Sequence, residues 1–324
     1  MHKLLLSEPR IGAYAAFLLA GLLGGYLLAR WRGVRTGITG SHVDNLALLI
    51  CIFSLFGARL FSWLFYFPSG TSLWDALRDR GGGMVFYGGL IFGVLSALAY
   101  ARLARLELGN LLDVFAPGLA LGLALGRVGC FMAGCCWGDL CVSPDELSPP
   151  EISQLRWQLQ TLPFLSTPGF PLAVRFPPGA GAFEQHHKLG LIGDQAQSSR
   201  PVHPVQLYEA ALALGLCLFL NRSFRRRVWP GQIFCMLILY YAIIRFVIEF
   251  LRADNPPIYA GLTLSQVIGL GLGLAAALIL RRQRGRPRRS IRRRDLSRSE
   301  ESVPTPKPCF QRLTASALPL PRYP

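Results

Sequence analysis

Apolar residues come in long blocks separated by short polar breaks. The blocks have the length a helix needs to cross about 30 Å of hydrocarbon, roughly 20 residues, and only a helix or a closed barrel satisfies its backbone there. Seven blocks read as spans: about Ile11–Ala29, Val43–Phe67, Met84–Leu103, Leu111–Gly138, Pro204–Leu220, Pro230–Leu251 and Leu262–Leu280. The first, third and seventh read as clean, whereas the second carries Arg59, the fourth Arg127, the fifth Glu209 and the sixth Arg245 and Glu249. The pattern predicts an all-α, polytopic membrane protein. No small-residue cleavage site follows the first block, which is therefore expected to be a retained helix. Asp139–His203, rich in Pro, Gly and Gln, is too polar to span and too long for a turn. It is expected to form a small extracytoplasmic head or a mobile lid.

Composition agrees with this reading: 52% of the 324 residues are hydrophobic and 16% charged, a balance short of the polar surface that a soluble protein of this length carries. The net charge of +16 matters through its placement. Arg30, Arg32 and Arg35 are expected in the loop after the first span, Arg102 and Arg105 after the third, and Arg222, Arg225, Arg226 and Arg227 after the fifth. Nine arginines lie between Arg281 and Arg294, while the Asp75–Arg80 and Arg252–Gly261 loops are mixed in sign. Positive loops face the cytoplasm, so the N-terminus is expected outside and the C-terminus inside. The division is then a membrane domain over 1–282 and a basic tail over 283–324, Ser/Pro-rich from Asp295 and expected to be disordered. The tail suits anionic membrane lipid, and its charge calls for no nucleic acid.

A charged side chain inside a span costs at least about 2.5–3.5 kcal/mol and faces a cavity or a partner. With the predicted orientation, Arg59, Arg127, Arg245, Glu249, His203, Glu209, Tyr14 and Tyr87 all fall in outer halves of their spans, at one depth. A channel would line a full path instead. Arg245 and Glu249 share a helix face at i,i+4 and can pair. Three arginines then stand against two glutamates. The surplus either belongs to a structural network or calls for an anion, and the planar arginine fork grips phosphate oxygens in pairs. Glycines beside these residues, Gly88, Gly89, Gly126 and Gly129, serve close helix packing or close approach of a substrate.

The chain resembles the prolipoprotein diacylglyceryl transferases in several ordered pieces: Gly57-Ala58-Arg59-Leu60; Gly82-Gly83-Met84 leading to Phe86-Tyr87-Gly88-Gly89-Leu90-Ile91; Gly126-Arg127-Val128-Gly129 with Phe131, Gly134 and Gly138; His203 through Glu209; Arg245 through Arg252; and Gly261 through Gln266. The similarity runs from about Ile11 to Arg282. It implies seven spans with the N-terminus out, a multi-pass location in the bacterial inner membrane, and transfer of a diacylglyceryl group from phosphatidylglycerol to the lipobox cysteine of prolipoproteins, with glycerol phosphate leaving. It further implies that Arg127 and Arg245 hold the phosphate, that Glu249 orients Arg245, and that Tyr14, Arg59, Gly88, Gly89, Gly138, His203 and Tyr241 line the site. No cofactor or metal is implied.

The chain departs from the family at its proton chemistry. Tyr87 stands where the family carries a histidine proposed as base, and a phenol near pKa 10 is a poor base at neutral pH. Cys130 and Ala133 replace asparagines, and Cys135 a glutamate. Cys130, Cys135, Cys136 and Cys141 fall within twelve residues without the paired CxxC spacing of zinc sites. Packing, a disulfide involving Cys141, or a metal or redox role are the readings open to them. Cys51, Cys217 and Cys235 read as inert, Cys309 lies in the tail, and His186 and His187 read as solvated. The departures keep two other functions open: a related enzyme that moves a lipid group to another acceptor, and a non-catalytic phospholipid-binding or transport protein.

Overall fold

The computed structural model describes residues 9–67, 71–78, 85–142, 170–253 and 261–283, with the backbone alone at Pro9, Arg10, Ile11, Tyr66, Leu73, Ala76, Leu77, Phe86 and Tyr87. The basic tail beyond Gln283, Cys309, the Gly82–Met84 motif and part of the Asp139–His203 segment lie outside the described residues.

The described chain is helical: α1 (Pro9–Arg35), α2 (Gly40–Tyr66), α3 (Leu73–Arg78), α4 (Phe86–Leu103), α5 (Leu108–Ala133), α6 (Gly181–Lys188), α7 (Val205–Ser223), α8 (Gln232–Glu249) and α9 (Leu264–Gln283). Six of these are long and apolar enough to cross a membrane, and Gly88–Leu103 within α4 is a shorter apolar helix. Leu19, Leu22, Leu48, Phe65, Leu218 and Leu274 are exposed along them, an apolar girdle that lipid covers and water would not tolerate. The chain is thus a polytopic membrane protein of about seven apolar helices.

Two boundaries differ from expectation, and one helix is additional. Arg30, Arg32 and Arg35 lie within the last turns of α1, not in a loop. Arg32 reaches the Asn221 side chain and carbonyl and lies over the Phe224 ring, 4.4 Å from its centroid. The fourth span stops at Ala133, five residues before Gly138. Gly134 adopts the left-handed conformation (φ 70°) that ends helices, and Cys135 N–H turns back to the Cys130 carbonyl at 3.1 Å. The short helix α3 was not foreseen.

Glycines set the closest helix contacts. A Cβ on Gly25 of α1 would lie 2.8 Å from the Gly118 carbonyl of α5, and one on Gly57 of α2 would lie 2.5 Å from the Gly88 carbonyl of α4. Backbones meet directly at both crossings, as small residues allow in a membrane. At one end of the bundle the fully buried Asp113 of α5 accepts Gly231 N–H and Phe234 N–H, each at 2.9 Å, and pairs with Arg227 at 3.2 Å. A carboxylate there caps the start of α8 and complements its dipole.

At the other end, residues 170–203 pack into a small head. Trp137, Leu140, Phe176, Ala180, Leu191 and Val202 form its core. Isolated antiparallel bridges join Val174 to Val202 within it, Leu140 to Val202 between it and the segment after α5, and Gly138 to Arg252 between the segments that follow α5 and α8. His186, expected to be solvated, is buried instead: its Nδ1 accepts Arg200 N–H at 3.2 Å, and burial with the nearby Arg200 charge pushes its pKa down to about 4. His187 is the exposed member of the pair and meets Asp194 at 2.8 Å.

Candidate active site

The end of the bundle that carries the head collects the polar side chains. Most come from the turns near the ends of their helices, and Tyr241 comes from the middle of α8. Glu209, in the first turns of α7, is the hub. Its Oε2 lies 3.0 Å from Arg127 Nε of α5 and 3.3 Å from Arg245 Nη1 of α8. Its Oε1 accepts Tyr241 O–H at 3.0 Å. Arg245 Nη2 reaches Glu249 Oε2 at 2.8 Å, one turn along the same helix, and Glu249 Oε1 accepts Thr263 O–H at 2.8 Å. Gln266 supports that link: its Oε1 accepts Thr263 N–H at 2.9 Å.

This arrangement changes the charge argument. Arg127 and Arg245 are balanced by Glu209 and Glu249. Buried carboxylates hold the two guanidiniums in place, yet those side chains keep 17% and 14% exposure, while Glu209 and Glu249 are sealed. A guanidinium offers five N–H donors, and the Arg127 ion pair uses its Nε. Donors therefore remain for a second anion, aimed by carboxylates that are themselves hydrogen-bonded.

Tyr14 of α1 lies against Gly129, where an added Cβ would meet its ring at 3.2 Å, two residues from Arg127. Gly138 closes the junction between bundle and head. Its N–H donates to the His203 carbonyl at 3.0 Å, and a Cβ there would lie 2.6 Å from Val205 Cγ1 and 2.8 Å from the His203 and Leu251 carbonyls. His203 is buried, with Nδ1 3.4 Å from the Tyr208 hydroxyl and its ring 4.6 Å from that of Phe170. Gly88 and Gly89 pack α4 against α2, at Gly57 and Ser54. Arg59 of α2 is partly buried beside Ala58, whose carbonyl accepts Val85 N–H at 3.1 Å, so it stands at the start of α4. The side chain of Tyr87 lies outside the described residues.

Several site-forming residues were not singled out from sequence. Thr263, Gln266 and Gln206 sit inside quoted motifs, but spacing alone assigns them no partner. Gln206 Nε2 donates to the Cys135 carbonyl at 2.8 Å. Asp139 is buried beside the junction, and burial raises its carboxyl to about 7. Burial likewise pushes the Cys141 thiol up to about 11. All seven described cysteines carry free thiols, Cys141 among them.

The profile of one family, prolipoprotein diacylglyceryl transferase, matches residues 4–282. A phosphatidylglycerol–prolipoprotein diacylglyceryl transferase of Thermotoga petrophila is 30% identical over 274 residues, 83% of this chain and 80% of the relative. One from Clostridium tetani is 26% identical over 261 residues, 81% and 88% of the two chains. One from Xylella fastidiosa is 29% identical over 282 residues, 82% and 87%. Nearly the whole of the described bundle, with its Arg127–Glu209–Arg245 hub, falls within the matched region, and the chain belongs to the prolipoprotein diacylglyceryl transferase family.

Proposed function

We propose that the chain transfers the diacylglyceryl group of phosphatidylglycerol to the lipobox cysteine of prolipoproteins, the first step of lipoprotein maturation, as a multi-pass enzyme of the bacterial inner membrane. The observation that carries the reading is the pair of anchored, partly accessible arginines at one end of the bundle. In this reading the N-terminus faces out, the head is extracytoplasmic, and residues 283–324 form a cytoplasmic basic tail.

The sulfur of the incoming cysteine attacks the glyceryl carbon, and the carbon–oxygen bond to phosphate breaks. Negative charge grows on the departing glycerol phosphate. Arg127 and Arg245 stand ready to receive it, with no reorganisation at the moment of reaction. Glu209 and Glu249 set their geometry, and Tyr241 and Thr263 hold the carboxylates. Tyr14, Arg59, Gly138, His203 and the Tyr87 region belong to the walls of the same substrate site.

The test is complementation. The chain is expressed in cells depleted of their own transferase, and lipidation of a reporter lipoprotein is followed. Wild type is expected to restore lipidation, and Arg127→Ala and Arg245→Ala to abolish it at normal membrane levels. Inserted wild-type protein without lipidation would overturn the reading. Mass spectrometry of products with phosphatidylglycerol separates it from a transferase with another acceptor.

A further inference from the structure

The transferase reading assigns no role to Cys130, Cys135 and Cys136, and the fold brings them together. Their Sγ atoms all lie within 4.8 Å of one another, and each residue is partly exposed. Sequence spacing hid this because two chain reversals produce it. Cys130 stands on the last turn of α5, three residues after Arg127. Gly134 turns the chain back, and Cys136 takes a left-handed conformation as well (φ 61°). A non-glycine residue is strained there, and the strain persists only where its surroundings enforce it. Gln206 clamps the Cys135 carbonyl at 2.8 Å, and Cys135 N–H binds the Cys130 carbonyl at 3.1 Å. The loop is therefore fixed while its three thiols converge.

Three thiols cannot all be consumed by disulfides among themselves, and three convergent thiolates are soft ligands for a d10 cation. In a tetrahedral zinc site with sulfur at about 2.3 Å, neighbouring sulfurs are roughly 3.8 Å apart, inside the 4.8 Å within which these three sulfurs all lie. Three protein ligands leave a fourth position open, the arrangement of a catalytic site. Cys130 stands three residues after Arg127 on α5, about one turn on, so the thiol cluster lies beside the arginine hub.

We propose that Cys130, Cys135 and Cys136 bind a zinc-class ion whose open position takes the thiolate of the incoming lipobox cysteine. The proposal rests on the transferase reading. It supplies what Tyr87 cannot: a coordinating thiol is deprotonated outright, without a neutral base. The substrate thiol releases its proton to water as it binds the ion. Its sulfur then forms the carbon–sulfur bond to the glyceryl carbon of phosphatidylglycerol. The electron pair of the broken carbon–oxygen bond leaves with glycerol phosphate, and no oxidant or reductant is needed.

The experiment uses the full chain, purified under reducing conditions in lipid nanodiscs. Elemental analysis is expected to find one zinc per chain, and Co2+ in its place to show the sulfur-to-metal absorption of a tetrahedral thiolate site. Cys130→Ser and Cys136→Ser are each expected to weaken binding by at least about 10–100-fold. Cys51→Ser, at an exposed position on α2, is expected to leave it unchanged. A short lipobox peptide is expected to shift the Co2+ bands, and its Ser counterpart to leave them in place. Reduced wild type that binds no Zn2+ or Co2+, bands unmoved by the cysteine peptide, or full lipidation by the chelator-stripped chain would each overturn the proposal. Peptide-responsive Co2+ bands in a chain that transfers no lipid would leave the thiolate site standing and remove the transferase reading instead.

Discussion

Arg127 and Glu209 are joined across α5 and α7 by an ion pair of 3.0 Å, and Arg245 of α8 reaches the same carboxylate oxygen at 3.3 Å. One buried carboxylate thus anchors two arginines from helices far apart in sequence. Removing it takes the carboxylate from the partly buried Arg127 and leaves Arg245 with Glu249 alone, a change worth about 3–5 kcal/mol for a broken buried pair. Glu209→Ala is expected to lower the thermal midpoint of the purified protein strongly. Glu209→Gln keeps a partner for Tyr241 and should lose less. An unchanged midpoint in the alanine variant would contradict the role of the hub.

Arginine at position 127 supplies geometry as well as charge. Lysine would keep the charge and lose the planar fork that meets Glu209 and, in the proposed reaction, would meet phosphate at the same time. Arg127→Lys is expected to fold and to lower the rate of lipid transfer by about 10²-fold, the scale of losing an oriented donor. A lysine variant at wild-type rate would show that charge alone suffices. Transfer rates at matched protein levels in membranes read the difference.

Gly138 has no room for a methyl group. A Cβ would press on Val205 and on the carbonyls of His203 and Leu251, at 2.6–2.8 Å, where α5, α7 and α8 meet the head. Backbone cannot yield as a flexible side chain does, and overpacking of this kind costs about 1–3 kcal/mol. Gly138→Ala is expected to loosen the head, seen as faster proteolysis within residues 170–203, together with lower activity. Unchanged proteolysis and activity would refute the tight junction.

The head also has a pH signature. Burial raises the Asp139 carboxyl to about 7 from an ordinary value of 3.8, so the folded chain keeps a proton that the unfolded chain releases. The stability this contributes is present below about pH 4 and is lost as pH rises to about 7. His186, pushed down to about 4, works in the opposite sense: its contribution is present above about 6.5 and lost as pH falls through about 4. Asp139→Asn removes the first effect alone. It is expected to match wild type near pH 4 and exceed it near pH 8, by on the order of 2–4 kcal/mol. Thermal midpoints across that range test this, and a difference independent of pH would contradict it.

The apolar helices were legible in the chain because hydrocarbon thickness dictates their length and leaves a backbone few other ways to cross. Arg245 and Glu249 were legible as a pair because four residues of helix place them on one face. Neither rule reaches across helices. Glu209 could be read as an acid in need of a partner, but its meeting with Arg127 and Arg245 depends on how α5, α7 and α8 pack. Asp113 was passed over for the same reason: its partners at Arg227, Gly231 and Phe234 lie more than a hundred residues away. His186 looked solvated because the head around it has no periodic pattern, and its burial follows from a core assembled out of loops. The cysteines mark the boundary most sharply. Their spacing argued against a metal site, and only the left-handed turns at Gly134 and Cys136 bring the three sulfurs together. Periodicity and span length are local, so sequence alone determined them. Convergence depends on chain reversals and helix crossings, which only the tertiary structure decided.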